Sequence, residues 1–170
     1  NALMVIAEGL GPYEEEEGLP LPPDARAGGA YQRALDMSGL NRALPTITNT
    51  IRCRPPNNEL RGAWYYRAAV DHCKRYLDRA IAERKPRLLL TLGDVPLQEL
   101  STIGGGVSDL RGFVLQSVYG IPMIGTYHPS HIARGASNLF GAMMHDIRVA
   151  YRFAEHGIPP KLRSNYNLDP

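Results

Sequence analysis

The sequence predicts an α/β fold of three layers, α/β/α, around a mostly parallel central sheet of about four strands. Three observations predict it. Short strand-like apolar runs alternate with segments of helical periodicity. One of those runs, Leu3-Met4-Val5-Ile6, is of the buried-strand kind, and another, Leu88-Leu89-Leu90-Thr91-Leu92, is bounded by glycine. Polar residues stand where strands end, and open α/β sheets bind their ligands beyond the carboxyl ends of strands.

The elements follow in order. Leu3 to Ile6 is the first strand, closed by Ala7-Glu8-Gly9-Leu10-Gly11-Pro12, a turn with two glycines and a proline. The acidic run Glu14 to Glu17 reads as a solvated loop, and residues 18–24 as a proline-rich one. Ala30, Leu35 and Met37 mark a helix that stops near Gly39. The β-branched run Thr46 to Ile51 is a second strand, and Arg52 to Asn58 a loop. Trp64, Ala68, Cys73, Tyr76, Leu77, Ala80 and Ile81 recur at helical spacing and predict a long amphipathic helix over about 62–84. A third strand runs from Leu88 to the glycine at Gly93. Residues 94–102 read as helical, Gly104-Gly105-Gly106 as a hinge-like loop, and Val114 to Tyr119 as a strand or hairpin arm. Pro122 to Tyr127 is the last strand and about 139–156 the closing helix. One domain is expected over 1–157, with an irregular tail over 158–170. The first strand starts so close to Asn1 that a further upstream segment is expected.

Composition sets bounds rather than a function. A chain of 170 residues with 44% hydrophobic and 21% charged residues reads as one soluble globular domain. A net charge of +2 from 19 basic and 17 acidic side chains neither announces a nucleic-acid binder nor excludes one whose charge is clustered. Two cysteines, Cys53 and Cys73, are too few for a disulfide scaffold and fit a reducing cytosol, so a cytoplasmic location is expected. No apolar run approaches the roughly 20 residues of a membrane span, and none reads as a signal peptide.

Three strand ends carry the candidate chemistry. At the first, Gly9 and Gly11 let backbone approach a ligand closely, and Glu8 can orient a water or balance positive charge on a sugar. The plain alternative is a tight turn with a solvated Glu8. At the second, the Asn49 amide has both a donor and an acceptor and can pair with one edge of a base; otherwise it is a turn or cap residue. At the third, Tyr127-His128-Pro129-Ser130 aims His128 into the crevice, with Pro129 holding the preceding backbone extended and Ser130 able to cap a helix. A buried or capping histidine is the alternative there.

In this order the pieces resemble the uracil-DNA glycosylase superfamily, most closely its iron-sulfur branch, family 4. The residues that carry the resemblance are Ala7-Glu8-Gly9-Leu10-Gly11 with Gly18-Leu19-Pro20-Leu21, Thr48-Asn49-Thr50-Ile51-Arg52-Cys53-Arg54-Pro55-Pro56, Leu92-Gly93, Leu110-Arg111-Gly112, and Tyr127 to Ser130. The likeness spans about residues 3–153. It implies an enzyme that extracts uracil or a related base from single- or double-stranded DNA and hydrolyses its N-glycosidic bond. Under it, Glu8 and His128 are catalytic, while Gly9, Gly11, Leu21 and Asn49 bind the base. Ser130, Ile132 and Arg134 contact DNA, with Ile132 or Arg134 wedging into the gap left by the base. Leu10, Pro12 and Leu21 depart from the family pattern. Leu21 stands where a stacking phenylalanine is expected, and Gly11 leaves that flank of the base pocket open, so bases with larger 5-substituents come into range. Tyr13 is a nearby aromatic that can substitute.

The same resemblance implies a [4Fe-4S] cluster held by four thiolates. Cys53 and Cys73 fall where two of these belong, and the other two are expected in a Cys-x-x-Cys segment upstream of Asn1. Loss of the cluster, leaving two buried thiols, is the alternative. An insertion around Asn58–Tyr65 occupies the cluster region, with Trp64, Tyr65 and Tyr66 forming an aromatic plug or a contact with another domain. Arg52, Arg54, Arg61, Arg67, Lys74 and Arg75 make the one dense basic neighbourhood, a solvated helix face or a DNA-backbone contact. Two other functions compete with the enzyme. One is a non-catalytic module that binds DNA or is fused to or docks on another domain. The other, a nucleotide-binding protein of a different α/β family, leaves the Tyr-His-Pro-Ser turn unexplained.

Overall fold

The computed structural model describes residues 2–159. Its strands are β1 (Leu3–Ala7), β2 (Thr46–Asn49), β3 (Leu88–Leu92), β4 (Val114–Gln116) and β5 (Pro122–Thr126), in one sheet of order β2-β1-β3-β5-β4. β1, β2, β3 and β5 are parallel neighbours, and β4 returns antiparallel along β5 with Val114 opposite Ile124. The sheet therefore has one strand more than the expected four or so, because the arm at Val114 closes a hairpin onto β5.

Seven helices connect and cover the sheet among the described residues: α1 (Pro12–Glu17), α2 (Arg26–Ser38), α3 (Tyr66–Arg84), α4 (Asp94–Leu100), α5 (Val107–Leu110), α6 (Pro129–Ala133) and α7 (Phe140–His156). Strand alternation decides which side chain meets which layer. Leu3, Val5, Leu88, Leu90 and Leu92 point to one face and pack with Tyr31 and Leu35 of α2 and Met143 and Ile147 of α7. Met4, Ile6 and Leu89 point to the other and pack with Leu77 and Ile81 of α3 and Leu97 and Leu100 of α4. Both faces are thus covered, which is why the strands read as unbroken apolar runs. Deep in the first layer the Tyr31 and Tyr151 hydroxyls lie 3.2 Å apart and join α2 to α7.

Two local expectations are corrected. The acidic run is the helix α1, started by Pro12 at its first turn, with Glu14 and Glu15 beside the positive end of its dipole. Glu14 folds inward and is buried. The long helix begins at Tyr66 rather than near residue 62, because Leu60 to Ala63 forms a turn closed by the Ala63 N–H on the Leu60 carbonyl at 3.1 Å. Residues 160–170 of the expected tail lie outside the described residues. Among those described, no helix is long and apolar enough to cross a membrane.

One buried charge ties the layers together. Asp146 of α7 is fully buried and accepts Arg111 Nε at 2.9 Å and Nη2 at 2.8 Å, as well as the Thr126 hydroxyl of β5 at 2.7 Å. Arg111 also reaches the Ala142 carbonyl at 3.2 Å. Burial pushes the Asp146 carboxyl up while these donors draw it back. Removing one member of such a pair leaves the other uncompensated, so Asp146→Ala is expected to lower stability by about 3 kcal/mol. A denaturant midpoint unchanged from the parent chain would contradict that role.

Candidate active site

Because β1, β3 and β5 are parallel, their carboxyl ends open on one side, and a cavity of about 820 Å³ lies over them. That is the size of a small-molecule or nucleotide site. Its walls include Glu8 to Glu14 after β1, Gly93 and Asp94 after β3, and Tyr127, His128, Ser130 and Arg134 after β5. Gly93 lets the last two strand ends close together. Its φ is +92°, its N–H donates to the Thr126 carbonyl at 2.8 Å, and a Cβ there would stand 3.1 Å from His128 Cβ.

His128 is the N-cap of α6. The Ser130 backbone N–H donates to its Nδ1 at 3.1 Å, and the Ser130 hydroxyl lies 2.7 Å from the same atom. A backbone N–H can only donate, so Nδ1 is the acceptor and the neutral ring carries its proton on Nε2. Nε2 is buried and has no partner. Burial, helped by Arg134 and His131, lowers the ring's pKa from 6.5 to about 4. The site therefore holds a neutral imidazole with one N–H donor waiting for an acceptor. An unmet buried donor costs about 1–3 kcal/mol, a cost that an entering carbonyl oxygen would relieve.

Glu8 is half-buried and lines the same cavity from the end of β1, with β3 between it and the strand that leads to His128. Burial raises its pKa above the ordinary 4.5, Arg134 and Arg61 pull it down, and Asp94 adds to the rise. The turn that carries it is fixed to β2: Thr50 donates to the Ala7 carbonyl through N–H at 2.8 Å and through its hydroxyl at 3.0 Å, and the Ile51 N–H meets the Glu8 carbonyl at 3.0 Å. Asn49 is consequently held opposite Ala7, buried at the neighbouring strand end rather than on the cavity wall.

The cavity brings together Glu8, Gly9, Gly11, His128, Ser130 and Arg134 of the residues singled out in the sequence. Three of the expected base- and DNA-binding residues lie elsewhere: Asn49 at the end of β2, Leu21 and Ile132. Leu21 has φ +49°, is buried in the core layer under α2, and gives its carbonyl to Arg42, so it offers no face to a base. Ile132 packs into the same core from the one-turn helix α6 and does not project as a wedge. Gly11 does not leave its flank open: the Glu14 carboxylate lies over it, so that a Cβ there would come within 2.5 Å of Glu14 Oε2. Tyr13 does stand on the wall.

Sequence reasoning missed Asp94 as a site residue. Its Oδ2 takes Arg61 Nη1 at 2.6 Å and its Oδ1 takes the Val107 N–H at 2.8 Å, joining two loops across the cavity. Four of the six cations in the basic neighbourhood, Arg54, Arg61, Arg67 and Lys74, are ion-paired within the chain. The polar position right after a strand-ending glycine was the available signal for Asp94.

The thiols meet the iron-sulfur expectation only halfway. Cys73 is buried and its sulfur accepts the Arg52 N–H at 3.4 Å, while Cys53 is exposed beside it, with burial and Cys73 both raising its pKa. The 170 residues contain no other cysteine, and among the described residues no group of three or more His, Cys, Asp or Glu side chains is placed to hold a metal. These residues alone do not make the four-thiolate set. Nor is the insertion a plug throughout, since Tyr65 and Tyr66 pack on a small core with Leu60 and Cys73 while Trp64 is 94% exposed.

Residues 2–149 match the uracil DNA glycosylase superfamily. Similar proteins include the type-4 uracil-DNA glycosylase of Pyrobaculum aerophilum, 32% identical over 139 residues that cover 78% of this chain and 68% of that protein. That of Thermotoga maritima is 31% identical over 153 residues, 88% of this chain and 77% of that protein. That of Saccharolobus solfataricus is 32% identical over 136 residues, covering 75% and 60%.

The His128 environment sets an acid limit on stability. With a native pKa below the unfolded one, the unfolded chain takes up a proton that the native site refuses. Stability from this group is full above about 6.5 and falls as pH drops toward about 4. Equilibrium unfolding of His128→Gln is expected to be less pH-dependent than the parent across that window. An equal slope would show that His128 is not held neutral.

Proposed function

Because this chain belongs to the uracil DNA glycosylase superfamily, we propose that it is a monofunctional DNA glycosylase that removes uracil from DNA by hydrolysing the N-glycosidic bond. The observation that carries the proposal is His128, a neutral ring whose only proton sits on an unpartnered Nε2, in one cavity with the half-buried Glu8.

Such a reaction first takes the nucleotide out of the stack, at a cost of a few kcal/mol. The C1′–N bond then breaks with its electron pair leaving on the base, and the sugar becomes cation-like. His128 Nε2–H donates to the base carbonyl oxygen where that negative charge grows. A neutral donor suits this, since it stabilises charge without having to lose a proton first. The Glu8 carboxylate faces the developing positive charge and orients the water whose oxygen bonds to C1′. One proton of that water passes to solvent, and the released base anion is reprotonated there. Asn49 lies off the wall at the adjoining strand end, so the proposal that it reads the base edge requires the base to reach beyond the cavity, and Tyr13 supplies the aromatic face that Leu21 does not. Arg134 meets the phosphate beside the extruded nucleotide, while Ser130, whose N–H and hydroxyl both face His128 Nδ1, holds the ring in place. With Glu14 over Gly11, uracil is favoured over bases bearing a large 5-substituent.

A uracil-containing oligonucleotide treated with the protein and then alkali tests this. Strand cleavage is expected, and His128→Ala should lower the single-turnover rate about 100- to 1,000-fold, as removal of a donor to developing charge does. Binding without base release, or release indifferent to His128→Ala, would leave a non-catalytic DNA-binding module. The pH profile offers a separate check. The working form of Glu8 is the carboxylate and burial raises its pKa, so kcat/KM should fall on the acid side at a pH above 4.5. Glu8→Gln should lower the rate and abolish that limb.

A further inference from the structure

Beside the cavity, the segment from Glu59 to Tyr65 combines two properties seldom found together. It is preformed. Leu60 is 1% exposed and anchors it in a small core with Ile51, Val70, Cys73 and Val95. The Tyr65 hydroxyl donates to the Glu59 carbonyl, with the Pro56 carbonyl 3.3 Å away, and closes the loop on itself. Arg61 is drawn to the cavity wall by Asp94 at 2.6 Å. Yet this rigid loop holds out Trp64 at 94% exposure, its ring meeting only the edge of Tyr65 at 5.6 Å between centroids. Single exposed apolar residues are ordinary on protein surfaces. Here, however, the residue is the largest of side chains, on a fixed support, three residues from a cavity-wall arginine. The turn between them keeps the two backbones within roughly 11 Å.

We propose that this segment is a preformed arm for the nucleic-acid strand beside the cavity, with Trp64 stacking on an unpaired base and Arg61 meeting the adjoining phosphate. The inference rests on the reading of the cavity as that of a DNA glycosylase. Arg61 engages Asp94 through Nη1, which leaves its other guanidinium donors for a second anion without breaking that bond. A flat indole accepts any base, because every base has a π-face. Strand binding by the arm would therefore be independent of sequence, and base choice would stay in the cavity.

Trp64 is the chain's single tryptophan, so its emission reports on this site directly. Titration with a uracil-free single-stranded oligonucleotide, followed in parallel by anisotropy of a label on the DNA, is expected to quench that emission as binding saturates. Trp64→Ala should weaken binding about tenfold, in line with base–aromatic stacking, and Trp64→Phe should recover most of it. Arg61→Gln should reduce the salt dependence of binding by about one phosphate contact. Unchanged emission at saturation, or equal affinity of Trp64→Ala with the parent, overturns the arm and leaves Trp64 to a protein partner. These results are separable from the catalytic reading. A parent chain that releases uracil while Trp64→Ala binds unaltered defeats the arm alone, and a parent chain that neither binds DNA nor releases uracil defeats both.

Discussion

The buried carboxylate of Asp146 is the constraint on which the rest of the structure depends. One charge, fully enclosed, fixes α7 to the Thr126 end of β5 and to the Arg111 loop at the same time. Enclosing it is unfavourable unless every acceptor position is met, so the three donors must arrive together or not at all. Gly112 sits close enough that a Cβ would come within 3.2 Å of the carboxylate, so the loop's path is dictated by the charge it serves. Two residues beyond Thr126 stands His128, and the Arg111 guanidinium lies 5.7 Å from the ring centre of Tyr127 between them. A group with no place in the cavity thereby determines where the cavity's donor stands.

Desolvation does two opposite things inside that cavity, and the opposition is useful. It disfavours charge on both His128 and Glu8. For the histidine this empties the ring of its second proton and leaves a neutral donor. For the glutamate it raises the pKa, and Arg134 and Arg61 limit the rise. The two groups are thereby held in complementary states by one environment, with arginines as the adjusting element. Asp94, which positions Arg61 while adding negative charge of its own, sits at the balance point.

How far the sequence was legible follows from how local each signal is. β1 and β3 could be read because each is a short, almost continuous apolar run bounded by turn residues, and β5 because its short apolar stretch leads straight into the Tyr127 to Ser130 turn. The Tyr127 to Ser130 turn was legible because proline and a capping serine act on their immediate neighbours. The start of α3 was misread since Trp64 keeps the helical spacing although it points into solvent, and periodicity does not distinguish an apolar face that packs from one that is presented. Glu14 was taken as solvated because nothing in four consecutive glutamates tells which one turns inward. Leu21 and Ile132 went to the core because an apolar side chain near a site is drawn to whichever apolar surface is closest. The Arg111–Asp146 and Arg61–Asp94 contacts join residues more than thirty positions apart, and no local pattern encodes such a pairing.

The place of β1 has a consequence for how the molecule comes into being. The first strand of the sequence is an inner strand of the sheet, held between β2 and β3, with Leu3 opposite Leu88. During synthesis at about 5–20 residues per second, its apolar side chains emerge many seconds before the partner that covers one whole edge. Long-range pairing of this kind slows folding, and in the interval an unpaired strand of five apolar residues invites contact with other nascent chains. Glu8 to Glu17 follow immediately and carry five carboxylates. Charges that flank an apolar strand oppose its pairing with other chains, so the carboxylates that later line and flank the cavity stand, before any cavity exists, beside the strand most exposed to that hazard.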